Sequence, residues 1–292
     1  MSGTSDQLVR TVTVGGDVAL SAVVGTGLVR EATNRREMSP TAVNALGRGL
    51  VGVVLLSVGL KGGESLQLRF AGDGPLGDLL AITDDQARVR GTIRNPMARV
   101  PPRNGRFDVG GGMGRGLLSV VRSHPNWREP HTGVVEIETG EIARDLAKYL
   151  TESEQTPAAV ALGVGLDREG RVDATAGVMV RVLPGARNDV VAHVEANVAS
   201  LPNVAELVRM GFDADGLLDH LARGVGVGER DYTTPRFHCP CNRQRALETL
   251  GLLGSEAITE IVELGQGQEV CCHFCGLAYQ LTSDEVRAHY AH

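Results

Sequence analysis

The sequence predicts an α+β protein. It has an N-terminal mixed α/β domain with β-sheets and packed helices, then a helical linker, then a small C-terminal four-cysteine zinc-binding module. Three observations predict this. Over the first 185 or so residues, β-rich runs and runs of period-two alternation are interleaved with helical patterns. From residue 188 to 224 the chain becomes a series of short amphipathic helices. All five cysteines, Cys239, Cys241, Cys271, Cys272 and Cys275, then follow a stretch of 238 residues that contains none. The expected boundaries are 1–186, 187–235 and 236–292.

In order, "LVRTVTV" and "DVALSAVV" are β-rich runs separated by "GGD", a hairpin signal. Residues 28–37 and 40–58 read as helices. The second approaches transmembrane length, but Asn44 and Arg48 interrupt it and four glycines fall within 47–59, so the expectation is a buried helix. "SLQLRFA" (65–71) alternates as a half-buried strand does. "LLAIT", "ARVRGTI" (87–93), "GLLSVV" (116–121) and "GVVEIE" (133–138) read as further strands. "GEIARDLAKYLTES" is the clearest amphipathic helix, with Ile142, Leu146, Tyr149 and Leu150 on one face. "AAVALGV" and "GVMVRVL" complete the strands. Pro202 and Gly211 break the helices of 188–224, and "GVGVGERDYTTP" reads as a flexible linker.

Hydrophobic residues make up 42% and charged residues 22%, as in an ordinary soluble globular protein. The net charge of -6 gives no overall electrostatic case for nucleic acid. Aromatics are only 3%, so the core, and any surface that binds other proteins, must be mainly aliphatic. The N-terminus lacks the basic-then-apolar pattern of a signal peptide. The expected compartment is therefore the reducing cytoplasm, where clustered cysteines bind metal or do redox work.

Several motifs carry no chemistry. "GDGPLG" (72–77) formally matches GxGxxG, but Pro75 and a short β-like run follow where a dinucleotide site needs a helix. It reads as a tight turn. "VGGGMGRG" (109–116) lacks the GK[ST] that cradles phosphate and reads as a loop. Residues 86–107 carry six arginines and no acid, without interleaved aromatics for base stacking, and are expected to line an exposed sheet face. His124 and His131 read as solvated loop residues. Nothing in the first 235 residues resembles a catalytic constellation, so no enzyme activity is expected.

The cysteines are different. Cys239-x-Cys241 and Cys272-x-x-Cys275 form a four-thiolate set. Zinc prefers four soft tetrahedral ligands, and closed four-cysteine sites are structural. Gly276 after the CxxC suits a knuckle turn in which backbone amides approach sulfur. Four thiolates on Zn²⁺ leave a net charge of -2, which Arg236, Arg243 and Arg245 are placed to offset. Cys271 has the wrong spacing for the set and is the odd thiol. Cysteines one residue apart can close only a small, strained disulfide ring that is readily reduced again, which suits a reversible site. Ejecting the metal by oxidation would remove roughly 10–16 kcal/mol of folding energy, as much as the whole stability of a typical domain. The module would unfold, and the valine-rich run 188–224 is the natural segment to loosen with it. Two rival readings are a static zinc ribbon that binds nucleic acid or protein, and a thiol–disulfide oxidoreductase using "CHFC".

The chain resembles the heat shock protein 33 family of redox-regulated chaperones over nearly its whole length. The matching stretches are "GDGPLG", "VRG" (89–91), "GEIARDLAKYLTESEQTPAAVALGV" (140–164), "AGVMVRVLPGA" (176–186) and "CPCNRQRALETLG…CCHFCG". The CxC and CxxC pair in that order is the most specific sign. The resemblance implies a cytoplasmic, ATP-independent holdase, inactive when reduced and loaded with one Zn²⁺ per chain. Carried across, the ligands are Cys239, Cys241, Cys272 and Cys275. It implies that oxidative stress forms the disulfides Cys239–Cys241 and Cys272–Cys275, releases zinc, unfolds the linker and produces an active homodimer. That dimer holds unfolding clients until foldase chaperones take over; neither nucleic acid nor membrane is an implied partner. Three positions depart from the family pattern: Cys271 before the CxxC, "AGV" at 176–178 for a frequent AGG, and His131 near a frequent tyrosine.

Overall fold

The chain opens with a hairpin, β1 (Gln7–Val12) antiparallel to β2 (Val18–Val24). Helices α1 (Thr26–Thr33) and α2 (Pro40–Leu56) follow, then β3 (Ser65–Gly72), β4 (Leu79–Asp84) and β5 (Arg88–Ile93). A short α3 (Val109–Met113) leads into β6 (Gly116–Ser123) and β7 (His131–Ile137). Next come α4 (Ile142–Glu152), β8 (Ala158–Leu166) and β9 (Val172–Val182). Helices α5 (Asn188–Ala199), α6 (Val204–Arg209) and α7 (Ala214–Leu221) precede two short strands, β10 (Asp231–Thr233) and β11 (Arg236–Phe237). This computed structural model describes residues 5–290. The chain divides into two compact units, the first ending at Phe237 and the second beginning at His238.

The first unit holds two sheets. One runs β10-β1-β2-β9-β8 and is antiparallel throughout. The other runs β11-β5-β4-β3-β6-β7, antiparallel except where β11 adds parallel to β5. Helix α2 packs against strands of both sheets. Ser39 caps it by accepting the Ala42 N–H, and Pro40 takes the first helical position, where a missing N–H costs nothing. From Thr41 to Leu56 every residue but Arg48 is buried, which is why the segment is apolar around its whole circumference. Its glycines mark close approaches: a Cβ on Gly49 would lie 2.7 Å from Leu79 and one on Gly52 2.9 Å from Leu146. Among the described residues, no helix is long and apolar enough to cross a membrane.

Helices α5, α6 and α7 cover the face of the five-stranded sheet away from α2. Val190, Val194, Val204, Leu207, Leu217, Leu218 and Leu221 bury there against Val9, Leu20, Ala22, Val178 and Val180. Polar contacts pin the layer at several points. Arg187 pairs with Asp17 at 2.9 Å, Arg209 with Asp173 at 2.8 Å, and the Asn197 amide donates to the Leu221 and Arg223 carbonyls.

Four expectations need correction. The first helix spans 26–33 rather than 28–37, because the Asp6 carboxylate accepts the Gly27 and Leu28 N–H groups and starts it early. "GVGVGERDYTTP" is not a free linker: Val227 bridges to Thr13 and β10 pairs with β1, whose edge otherwise presents unpaired N–H and C=O groups. Part of "VGGGMGRG" is helical, since Asp108 accepts the Gly111 N–H and caps α3. His131 is the first residue of β7 rather than a loop residue, though exposed as expected, while His124 stays in the loop and bonds the Gly62 carbonyl.

The second unit contains α8 (Arg243–Leu250), α9 (Ser255–Leu264), the hairpin β12 (Gln268–Cys271) and β13 (Ala278–Leu281), and α10 (Ser283–Tyr290). Its core is small: among the described residues, Ala246, Leu247, Leu250, Ile258, Ile261, Leu281 and Val286 form its buried hydrophobic cluster. Tyr290 closes one end by donating to the Leu247 carbonyl at 2.7 Å.

Candidate metal centre

The hairpin β12–β13 builds one half of the site. Its turn leaves the sheet at Cys272, whose N–H donates to Leu277 O at 2.9 Å, and Gly276 N–H donates to Cys272 O at 2.8 Å. Gly276 sits at φ 71°, left-handed backbone that a side chain would strain. This tight loop aims the Phe274 and Cys275 amides at the Cys272 sulfur and the Leu277 amide at Cys275. The other half is the extended segment before α8. There the Cys241 amide points at Cys239 Sγ, and Asn242 caps the helix by accepting the Arg245 N–H.

The structure brings Cys239, Cys241, Cys272 and Cys275 together, with all four Sγ atoms within 4.8 Å of one another. Cys239 lies 3.6 Å from Cys272 and Cys241 lies 3.3 Å from Cys275, sulfur to sulfur. A tetrahedral zinc with Zn–S bonds of about 2.3 Å separates its sulfurs by about 3.8 Å. The set therefore fits such an ion with small adjustments. These are free thiols; a disulfide needs about 2.05 Å.

Electrostatics point the same way. Burial pushes the Cys239 thiol far up, and burial raises Cys275 as well. Burial also opposes ionisation of Cys272, but the Cys275 and Phe274 amides and the neighbouring thiols outweigh it and bring the group down to about 7. One thiolate is thus favoured, solvated by its neighbours, and a cation at the centre is what would make four compatible.

Cys271, the odd thiol, is exposed at the end of β12, outside the cluster, with its Sγ 3.7 Å from Glu269. Desolvation and then that carboxylate push its thiol up. One contact was not foreseen from the sequence: Tyr279 donates its hydroxyl to Cys241 Sγ at 3.3 Å, and this, ahead of burial, raises the phenol to about 12. A tyrosine on a strand next to a CxxC hairpin was the available signal. The expected charge compensation is corrected for Arg243, whereas Arg245 stays beside the cluster. Arg243 is spent on a two-pronged pair with Glu285 at 2.7 Å, and Arg245 donates to the Pro240 carbonyl.

The chain matches the family model described as Hsp33 protein over residues 6–282. It is 40% identical to a 33 kDa chaperonin of Thermus thermophilus, over 97% of this chain and 86% of that protein. It is 37% identical to a 33 kDa chaperonin of Geobacter sulfurreducens, over 97% and 94%. The crystal structure of the 33 kDa chaperonin (heat shock protein 33 homolog) from Thermotoga maritima superposes with a TM-score of 0.90 at 30% identity, covering 97% of each chain.

Proposed function

The chain belongs to the Hsp33 family of chaperones, and from that premise we propose that it is a redox-switched, ATP-independent holdase of the cytoplasm. Its parts are an N-terminal α/β domain (1–186), a redox-sensitive linker (187–235) and a zinc-binding switch (236–292). The observation that carries the reading is the meeting of four thiols within 4.8 Å in a unit whose hydrophobic cluster, among the described residues, has seven buried side chains. A core that small is short of the burial an independent domain needs.

Zn²⁺, held by Cys239, Cys241, Cys272 and Cys275, keeps the ligands as thiolates and adds its binding energy to folding. Peroxide oxidises two thiolate pairs, Cys239 with Cys241 and Cys272 with Cys275. Forming each disulfide releases two electrons, which with two protons from solvent reduce one hydrogen peroxide to two waters. With its four ligands consumed, the C-terminal unit loses about 10–16 kcal/mol of support. The linker layer α5–α7 then detaches, and the freed sheet face of Val9, Leu20, Ala22 and Val178 meets clients through non-directional aliphatic contact. The active form is a homodimer that passes clients to foldase chaperones.

The test measures zinc content and free thiols before and after peroxide, beside a client aggregation assay. One zinc and four thiols lost per chain, with aggregation suppression gained, is the expected result. Equal suppression by the reduced, zinc-loaded protein would sink the switch, and salt-sensitive nucleic-acid binding unchanged by peroxide would favour a static zinc ribbon instead.

A further inference from the structure

The arginine-rich stretch 86–107 is not absorbed by the chaperone reading, and its last two arginines occupy an unusual place. Asn104 at φ 52° and Gly105 at φ 71° form a two-residue turn, both residues left-handed, the geometry of a tight hairpin with Asn-Gly at its tip. Arg103 and Arg106 exchange both backbone hydrogen bonds across it, at 2.9 and 3.0 Å. Directly opposed residues of such a pair project to the same face with Cα atoms about 5.5 Å apart. Two like charges opposite each other destabilise a hairpin. Even so, neither guanidinium has an ion-pair or hydrogen-bond partner among the described residues.

A third guanidinium joins them. Arg48, the one residue of α2 beyond its first that is not buried, lines the same cavity of about 660 Å³ as Arg103 and Arg106. Its Nη1 lies 2.5 Å from Glu141, and its Nε has no partner. The cavity's two acids are both engaged: Glu141 by Arg48, and Asp108 by the Gly111 N–H at 2.8 Å. Three guanidiniums against two carboxylates leave one net positive charge in a concavity of the size that holds small ligands.

We propose that this cavity is a binding site for a small polyphosphate-type anion of the pyrophosphate class. Guanidinium forks match phosphate oxygens in pairs, and a linked diphosphate presents enough oxygens to engage Arg103 and Arg106 together while reaching Arg48. The anion relieves the cross-strand repulsion that the protein leaves unbalanced. The site lies wholly within residues 48–141 and does not depend on the cysteine switch or on the holdase reading.

The test is isothermal titration calorimetry of the full-length, reduced, zinc-loaded protein with sodium pyrophosphate, and with orthophosphate at matched ionic strength. One saturable site is expected, tighter for pyrophosphate and weakening as salt rises. In the double variant Arg103→Gln/Arg106→Gln, whose altered residues are exposed, binding should fall on the order of tenfold or more while the melting midpoint is not lowered. Arg99→Gln removes one arginine charge outside the cavity and should leave binding as it was. No saturable binding at millimolar pyrophosphate overturns the proposal. So does equal affinity in the double variant, or equal weakening by Arg99→Gln.

Discussion

Replacing Leu218 by Ala separates the packing of the linker layer from the chemistry of the cysteines. Leu218 is fully buried, on a helix that packs against β1, β2 and β9 in a cluster distinct from the one around α2. Truncating a fully buried leucine costs about 3 kcal/mol, part transfer energy and part cavity. Tenfold in an equilibrium corresponds to about 1.4 kcal/mol, so local opening of α5–α7 should become about a hundredfold more frequent. The loss should stay local, because the buried residues of β3–β7 belong to the other cluster. Hydrogen exchange on the reduced, zinc-loaded variant should show amide protection across 188–221 falling by that factor, with β3 to β7 unchanged. The same preparation should suppress client aggregation without peroxide, in proportion to the open fraction. Unchanged protection would refute the packing argument. Lost protection with a silent reduced protein would refute the link between linker opening and client binding.

Three further outcomes are expected. Cys271→Ser should bind zinc with the same stoichiometry and affinity, since its sulfur lies outside the cluster; loss of metal in that variant would overturn the ligand set. Tyr279→Phe removes the hydroxyl donor to Cys241 and should weaken the metal by about tenfold in a chelator competition, as loss of a ligand's supporting hydrogen bond does; an unchanged affinity would make the contact incidental. The Arg187 side chain, then its backbone amide, hold the Asp17 carboxyl below its usual range. A depressed folded-state pKa stabilises above the unfolded value near 3.9, and that stabilisation is lost as pH falls through the folded value. Asp17→Asn should therefore melt lower than the parent at pH 7, with the difference shrinking below about pH 4; a gap that widens in acid would contradict the pairing.

Much of the fold was legible along the chain because its elements obey their own periods. Alternation marked β3 at "SLQLRFA", and the stripe Ile142, Leu146, Tyr149 marked α4, whose side chains there are buried. The all-round apolarity of 40–56 followed from burial between two sheets, which composition can reveal. What was missed depends on partners distant in sequence. Asp6 starts α1 across 21 residues, and β1 captures β10 from more than 200 residues away. No local window contains either partner.

The four-cysteine set was legible for a chemical reason: metal-ligand spacing is dictated by turn geometry, and turns are local. The sequence therefore determined which thiols share a knuckle, that Gly276 must turn behind them, and that Cys271 has the wrong spacing. The tertiary structure alone decided that the CxC and CxxC halves meet with all four sulfurs within 4.8 Å. It also directed the Tyr279 hydroxyl at Cys241 and turned Arg243 away to Glu285. It made the supposed linker tail an edge strand, and it gathered Arg48, Arg103 and Arg106 around one cavity. Spacing is a property of neighbours in the chain, whereas charge pairing and edge capture depend on which surfaces the packed core leaves facing each other.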